Sequence, residues 1–256
     1  MQTNIAIVIM VLTRPVSVVS LGTMGYQAAL AVQNNLVKRI QEDISTYQDR
    51  YNTLVLVEHT PVYTTGIRSK EYSQVEEDRL KELGADFVRT KRGGLITFHG
   101  PGQLVAYPIL NLRNFVPENS RRKALLGMKW YVCTLEQMVI DLIKDLGVAG
   151  TRSPHTGVWV GNNKICAMGV HNSNMVTSHG LALNCDIDLR WFNHIVPCGI
   201  VGGGVTSLSK EVEQDGVIKV QEVKELFVKQ FERTFNCETA PVDEINRDGI
   251  KMLKGL

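Results

Sequence analysis

A glycine-rich segment at residues 92–104 constrains this chain more than any other feature, and its sequence is RGGLITFHGPGQL. Glycine adopts positive φ angles and lets a backbone approach a ligand closely. The pair Gly93-Gly94 and the triplet Gly100-Pro101-Gly102 therefore predict two tight turns. Such a segment is expected either to form a compact structural loop or to present its backbone to a ligand.

The residues around these turns are typical of strands. Leu95 to Phe98 lies between the turns, and the apolar stretch from Leu104 to Leu110 follows them. Both stretches have the chemistry of buried strands. We therefore predict a β-hairpin whose ends bring Arg92 and His99 close to exposed backbone N–H groups.

Composition excludes some classes of protein. A chain of 256 residues is compatible with one large domain or two small ones, and its apolar share can bury a substantial core. The formal net charge of +2 gives no reason to expect nucleic-acid binding. A local basic cluster, Arg121-Arg122-Lys123, is either a solvated helix start or a docking patch for an acidic partner.

The cysteines indicate a reducing compartment. The five cysteines, at positions 133, 166, 185, 198 and 237, form no Cys-x-x-Cys pair. An odd count in a chain of this length disfavours a disulfide framework. Cys185, His194 and Cys198 could be drawn into a zinc site, but their spacing lacks the usual paired ligands, so we expect no metal.

The N-terminus carries no clear targeting signal. The apolar run from Ile5 to Leu12 is too short to span a bilayer, and no basic region precedes it. A mitochondrial presequence should be rich in arginine, and only Arg14 is present before residue 38. Composition leaves the localisation open, and residues 1–15 are expected to be a targeting or disordered segment.

Hydrophobic patterning predicts an α/β fold. Apolar residues at helical spacing predict helices at 26–44, at 76–83, from Asn119 or Ser120 to Asp145, and at 220–235. Short apolar runs predict strands at 16–21, 54–57, 158–160, 165–170 and 181–184. Because strands and helices mix without strict alternation, we predict a single domain around a mixed sheet at residues 16–240, followed by a C-terminal tail at 241–256.

Two residues are candidates for catalysis on the sequence alone. Cys198 lies within Pro-Cys-Gly, shortly before three glycines at 202–204, so it is expected on a constrained loop where a thiol can face a cleft. Lys164 follows the turn-forming residues 161–163 and opens an apolar strand. Without other knowledge, Lys164 is more typical of an exposed lysine at the edge of a hairpin.

Three further segments follow the glycine-rich one and give the chain a family resemblance. They are GVWVGNNKICAMG at 157–169, SHGLALNC at 178–185 and WFNHIVPCGI at 191–200. Together the four segments resemble the lipoyl(octanoyl) transferase family, most closely its animal mitochondrial members, over a stretch from His59 to about Ser209. The resemblance implies a single α/β domain with a biotin/lipoate protein ligase-like fold and favours a mitochondrial location.

The resemblance also implies an activity and its partners. The family moves an octanoyl group from octanoyl-acyl carrier protein to the lysine of a lipoyl domain, as in 2-oxo acid dehydrogenase complexes and the glycine cleavage H protein. A thioester donor is already activated, so the resemblance implies no nucleotide and no other cofactor. We expect neither a nucleic-acid nor a membrane partner.

Site residues are carried over from the matched motifs. The resemblance implies that Cys198 is acylated and that Lys164 lies beside it and lowers the pKa of its thiol. The other residues carried over are expected to bind substrate: Arg92, Gly93, Gly94, Leu95, Ile96, Thr97, Phe98, His99, Ala167, Met168, Gly169, Gly180, Leu181, Ala182, His59 and His179. The three histidines of this set should contact substrate rather than transfer a proton. His155, His171 and His194 are expected to be structural or surface residues, and His171 stands where relatives are expected to carry an arginine.

Two other functions are kept as alternatives. One is an ATP-dependent lipoate-protein ligase, which shares the fold but must activate a free acid. The chain has neither a P-loop motif nor a GxGxxG dinucleotide fingerprint, and it lacks the longer adenylate-binding glycine-arginine signature of the ligases. The other is a catalytically silent relative that acts as a lipoyl-domain binding module.

Overall fold

The computed structural model of the protein describes residues 15–44, 52–68, 72–115, 127–196, 203–212 and 216–241. Its strands are β1 (Pro15–Met24), β2 (Thr53–His59), β3 (Val62–Thr65), β4 (Asp86–Arg89), β5 (Thr97–His99), β6 (Gln103–Ile109), β7 (Val158–Val160), β8 (Asn163–Ser173), β9 (Val176–Asn184), β10 (Gly204–Val205) and β11 (Glu238–Pro241). Its α-helices are α1 (Tyr26–Ile44), α2 (Gln74–Glu82), α3 (Gly127–Asp145), α4 (Leu208–Glu211) and α5 (Val220–Phe235), and 3-10 turns lie at Leu112–Asn114 and Leu189–His194. In this part of the chain, no helix combines the length and apolarity needed to cross a membrane.

The larger sheet is mixed, as predicted. Its strand order is β10-β8-β9-β6-β2-β1-β11, and β7 also pairs with β8. Strand β1 runs parallel to β2 and β11, whereas β6 and β9 run antiparallel to their neighbours. All seven residues of β6 are buried, as expected for a strand covered on both faces.

Helices cover both faces of this sheet. Successive residues of a strand point to opposite faces, and β2 shows this alternation. Leu54 and Leu56 pack in the core that contains the apolar sides of α3 and α5. Val55 and Val57 pack in a second core with α1. The arrangement is one sheet between helical layers.

The predicted hairpin is wrong. Strand β5 pairs with β3 in a separate three-stranded sheet of order β4-β3-β5. Strand β6 instead lies between β2 and β9 in the larger sheet. The turn at 100–102 therefore carries the chain from one sheet to the other. The turn residues correctly predict a change of chain direction, but the strands that pair with β5 and β6 are distant in sequence.

The predicted helices are otherwise confirmed. Helices α1 and α5 have the predicted bounds. Helix α2 is predicted at 76–83 but spans Gln74–Glu82, because Ser73 Oγ accepts the N–H of Glu76 at 3.2 Å and caps an earlier start. Gly147, with φ of +82°, follows the end of α3. The predicted N-cap of α3 at Asn119 or Ser120 lies outside the described residues, as do residues 1–14 and 242–256.

Candidate active site

Arg92 holds the glycine loop (residues 92–95) from inside. The side chain is buried, and its guanidinium donates to the carbonyl oxygens of Gly93 and Leu95 at 2.9 and 3.0 Å. It also donates to Thr64, at the carbonyl oxygen and at Oγ1, so the loop is tied to β3. Arg92 therefore shapes the loop, and its predicted contact with substrate stays a prediction.

The loop lies directly against β8. The N–H of Gly93 donates to the carbonyl of Val170 at 3.0 Å. A Cβ on Gly169 would lie 2.8 Å from the carbonyl oxygen of Gly93, so only glycine permits this approach. Gly94 has a φ of +95°, which favours glycine for a different reason. Backbone, rather than side chains, forms this wall of the site.

A cavity of about 350 Å³ opens beside the loop. This volume lies in the range typical of small-molecule sites. Its apolar floor includes Met168 and Val170 of β8 and Val132 of α3, and its cations are Lys164 and Arg68. Among the described residues, no carboxylate lines it. The full lining is Arg68, Gly93, Gly94, Val132, Pro154, His155, Thr156, Lys164, Met168, Gly169 and Val170.

Lys164 is buried, so the interpretation of an exposed hairpin lysine is wrong. Lys164 is only 5 % exposed, although it lies at the start of β8, as predicted. The ammonium donates to the carbonyl of Thr156 at 3.1 Å and lies 4.9 Å from the centre of the Trp159 ring. Lys164 also borders a small second cavity, lined by Thr97, Gln103, Ala167, Asn184, Phe192 and Val205. Lys164 thus contributes to the lining of both cavities.

Cys198 lies outside the described residues, and its role stays a prediction. The chain that follows it returns to the site. Strand β10 pairs in parallel with the start of β8, and Val205 is the partner of Lys164. The N–H of Thr206 then donates to the carbonyl of Lys164 at 3.0 Å.

His59, His99 and His179 form a buried histidine cluster with Tyr26 and Tyr107. His59 Nε2 lies 2.7 Å from the Tyr107 hydroxyl, and His59 Nδ1 lies 2.9 Å from the carbonyl of Met24. The ring centres of His59 and His99 are 5.8 Å apart. Strands from both sheets therefore bring together three histidines that are far apart in sequence.

Burial keeps this cluster uncharged at neutral pH. Desolvation disfavours an imidazolium, and it lowers the pKa of His59 to about 4 and that of His179 to about 4. Burial also places the pKa of His99 well below its usual value. The charge of Arg92 acts in the same direction on His99 and His179. The described lining of the larger cavity does not include these histidines, so their contact with substrate stays a prediction.

His179 has an unusual backbone conformation. Its φ is +56°, inside strand β9, and its N–H donates to Oε1 of the buried Gln33 at 2.8 Å. The next residue, Gly180, lies so close to the Ala106 carbonyl that a Cβ would clash. Gly180, Leu181 and Ala182 pair across the sheet with Gly169, Met168 and Ala167, which brings the two predicted substrate segments side by side.

The remaining predicted residues divide into three groups. Met168 and Gly169 line the larger cavity, whereas Thr97 and Ala167 line the smaller one. Leu95 is buried, and Ile96 and Phe98 pack in the core around the second sheet, where the Phe98 ring stacks on Trp191 at 4.8 Å.

The structure adds cavity residues that sequence reasoning missed. They are Arg68, Val132, Pro154, His155 and Thr156. His155 was expected to be structural or on the surface, and it is exposed on the cavity lining. His171 is half-buried on β8, opposite Ser178 of β9.

Comparison with known proteins assigns the family. The lipoyl protein ligase A/B catalytic domain matches residues 25–232. An octanoyl-acyl carrier protein:protein N-octanoyltransferase, LIPT2, mitochondrial, from Danio rerio is 52 % identical over 222 residues, which cover 87 % of this chain and 93 % of the relative. The Homo sapiens protein of the same description is 40 % identical over 238 residues, covering 90 % and 98 %.

Solved structures show the same fold. Lipoate-protein ligase A bound with ATP superposes with a TM-score of 0.67 at 14 % identity, covering 88 % of this chain and 87 % of the ligase. A bi-partite lipoate protein ligase from Thermoplasma acidophilum gives a TM-score of 0.64 at 15 % identity, covering 88 % and 85 %. The predicted fold is thus confirmed, and the chain belongs to the lipoyl protein ligase A/B catalytic-domain family, among its octanoyltransferases.

Proposed function

We propose that this protein is a mitochondrial octanoyltransferase that moves an octanoyl group from octanoyl-acyl carrier protein to a lysine of a lipoyl domain, through a thioester on Cys198. The animal relatives carry this activity and compartment in their descriptions. The observation that carries the proposal is the buried side chain of Lys164, which lines the larger cavity beside the backbone of the glycine loop.

The first step forms an S-octanoyl enzyme. The Cys198 thiolate attacks the carbonyl carbon of the donor thioester, and a tetrahedral oxyanion forms. The bond between the carbonyl carbon and the carrier sulfur then breaks, and the carrier leaves as a thiolate that takes up a proton. Lys164 serves both events, because an ammonium favours the attacking thiolate and can supply the proton to the leaving one.

The second step forms an amide. The neutral amine of the recipient lysine attacks the thioester carbonyl, and Cys198 leaves as a thiolate. The attacking nitrogen passes its proton to the Lys164 amine, which had given one up in the first step, and the ammonium–thiolate pair is restored. Thioester exchange is nearly isoenergetic, whereas amide formation is downhill, so the second step drives the transfer. Both steps pass through an oxyanion, and one backbone N–H donor lowers such a barrier by about 3 kcal/mol. We assign those donors to the glycine-rich segments.

We also propose which residues contact the substrate. Gly93, Gly94 and Gly169 would let the acyl thioester approach the backbone, and Met168 would supply apolar contact. The recipients we propose are the lipoyl domains of 2-oxo acid dehydrogenase complexes and the glycine cleavage H protein. The basic cluster at 121–123 lies outside the described residues, and its role as a docking patch for acyl carrier protein stays a prediction.

Intact mass spectrometry tests the function. The protein is incubated with octanoyl-acyl carrier protein without ATP, and one octanoyl adduct is expected. Cys198→Ser should abolish the adduct, while Cys133→Ser, a control at a half-buried position of α3, should keep it. A ligase would need ATP and free lipoate, and a silent binding module would gain no adduct in any condition. Undiminished transfer by Cys198→Ser would refute the thioester.

A further inference from the structure

The loop at 151–159 holds the catalytic lysine in place. Thr151 and Trp159 exchange two backbone hydrogen bonds, at 2.7 and 2.9 Å, which close the loop. The indole N–H of Trp159 donates to the carbonyl of His155 at 3.0 Å. Two groups of this loop contact the Lys164 ammonium: the Thr156 carbonyl, at 3.1 Å, and the Trp159 ring. The position of the amine therefore depends on how the loop is held.

A buried carboxylate on α3 anchors that loop. Glu136 is 6 % exposed, and its Oε1 accepts the N–H of Gly157 at 2.9 Å. Its Oε2 lies 3.3 Å from Arg152 Nε, and Arg152 also donates to the carbonyl of Cys133 at 2.9 Å. A carboxylate is costly to bury, and the two charge-assisted contacts of Glu136 offset that cost. Because both contacts go to the loop at 151–159, Glu136 fixes the position of that loop.

Glu136 and Lys164 contact opposite sides of the same peptide group. The carbonyl of Thr156 and the N–H of Gly157 belong to one planar unit, and trans geometry points them in opposite directions. Glu136 accepts from the N–H, and Lys164 donates to the carbonyl oxygen. Chains of hydrogen bonds polarise one another, so the carboxylate strengthens the carbonyl as an acceptor for the ammonium.

Gly157 makes this contact possible. Its φ of +125° suits glycine, and a Cβ there would lie 2.5 Å from the carbonyl oxygen of Cys166. The same Cβ would lie 3.4 Å from Lys164 Cε, so the lysine stem runs along the bare backbone of the loop. A displacement of this peptide would carry the ammonium with it.

We propose that Glu136 is a positioning residue for Lys164 and acts through the Thr156–Gly157 peptide. The proposal rests on the proposed role of Lys164 in setting the reactivity of Cys198. Glu136 does not contact the reacting atoms. It fixes the direction of the carbonyl that holds the ammonium, and thereby the position of that ammonium.

The test compares Glu136→Gln and Glu136→Met with wild type. Glutamine keeps an acceptor for Gly157 but loses the ion pair with Arg152, whereas methionine loses both contacts at similar volume. We expect kcat for octanoyl transfer to fall about tenfold in the glutamine variant and further in the methionine variant, with little change in KM, because misplacing a catalytic group by 1 Å can cost on the order of 100-fold. Asp141→Asn, which removes a carboxylate from the outer face of α3, should match wild type.

The pH dependence of Cys198 alkylation by iodoacetamide separates positioning from plain electrostatics. Loss of an anion alone would favour the thiolate and move the alkylation profile to lower pH. Loosening the ammonium would instead move it to higher pH, and we expect this direction, with the Glu136 variants between wild type and Lys164→Ala. A downward shift, or an unchanged profile with unchanged kcat, would overturn the proposal.

A double-mutant cycle with Lys164→Ala completes the test. If Glu136 acts through Lys164, then Glu136→Gln should change neither kcat nor the alkylation profile in the Lys164→Ala background. Additive losses would mean that Glu136 acts independently of Lys164, and a glutamine variant that does not fold would mean that Glu136 serves the fold. Either result would overturn the proposal. Failure of the proposed function is seen separately, because wild-type protein would then form no octanoyl adduct on Cys198.

Discussion

Gly169→Ala tests whether the close approach of the glycine loop to β8 matters for activity. The new Cβ would lie 2.8 Å from the carbonyl oxygen of Gly93 and 3.0 Å from Arg92 Cδ. Neither neighbour can yield easily, because one is backbone and the other is the stem of a buried side chain with several hydrogen bonds. The loop must therefore move away from the strand.

The size of the effect follows from these distances. Ordinary contact distances require a shift of roughly 0.5 Å or more. Overpacking of this kind costs about 1–3 kcal/mol, and the bond from the Gly93 N–H to the Val170 carbonyl, now 3.0 Å, would lengthen. In a chain of this size that corresponds to a fall in Tm of roughly 2–12 °C. A half-ångström displacement of a substrate wall should lower kcat/KM about tenfold.

The assay measures steady-state transfer from octanoyl-acyl carrier protein to a lipoyl domain, alongside thermal unfolding. Gly127→Ala is the matched control, because a Cβ there meets no atom of the described residues within 4 Å and the residue begins a helix. That control should keep wild-type kcat/KM and a Tm that is equal or slightly higher. Wild-type kcat/KM and Tm in Gly169→Ala would refute the reasoning.

Three further predictions concern the rest of the site. Lys164→Ala should raise the pH at which Cys198 is alkylated by iodoacetamide, and Lys164→Arg should restore alkylation more than turnover, because arginine does not give up its proton; an alanine profile that overlays wild type would contradict the pairing. Alanine at either Gly93 or Gly94 should weaken saturation by the octanoyl donor, but only Gly94→Ala should also destabilise the protein, by about 1 kcal/mol. The φ of Gly94 is +95°, whereas a Cβ on Gly93 meets no atom of the described residues nearer than 3.6 Å. Urea unfolding and donor titration of both variants check this. In the folded protein the pKa values of His59 and His179 are about 4, below the usual 6.5. The folded state should therefore be most stable above pH 6.5 and lose up to about 3 kcal/mol per histidine as the pH falls towards 4. Urea unfolding across this range should show that slope, and His59→Gln should reduce it.

The sequence predicts the helices well because their signals are local. The apolar stripes of α1 and α5 give both bounds, since each helix buries one face against the sheet. The hairpin at 95–110 fails for the opposite reason. A glycine-proline-glycine turn reports a change of direction, but not which strands the flanking residues will pair with. The partners β2, β3 and β9 lie far along the chain, and local chemistry does not encode them.

The candidate site divides in the same way. Motif resemblance identifies Lys164 and the glycine loop, although the burial of the lysine appears only when β7, β9 and β10 all pair around β8. The sequence gives one indication that Glu136 is special, which is its position next to the apolar stripe of α3. That signal does not reveal the loop that covers it, because Gly157 is 21 residues away in sequence.

The neutral state of the buried histidines, which burial causes first, also suits the positive charge of the site. Lys164 and Arg68 place positive charge on the cavity, and Arg92 adds its own beneath the glycine loop. Three imidazolium ions nearby would oppose that charge arrangement and loosen the loop, whereas neutral rings can pack and accept hydrogen bonds. The carboxylate of Glu136 does not cancel the charge of Lys164 directly, because a peptide group stands between them. The site therefore combines a fixed ammonium with neutral histidines, and its positive charge favours a thiolate and a transient oxyanion.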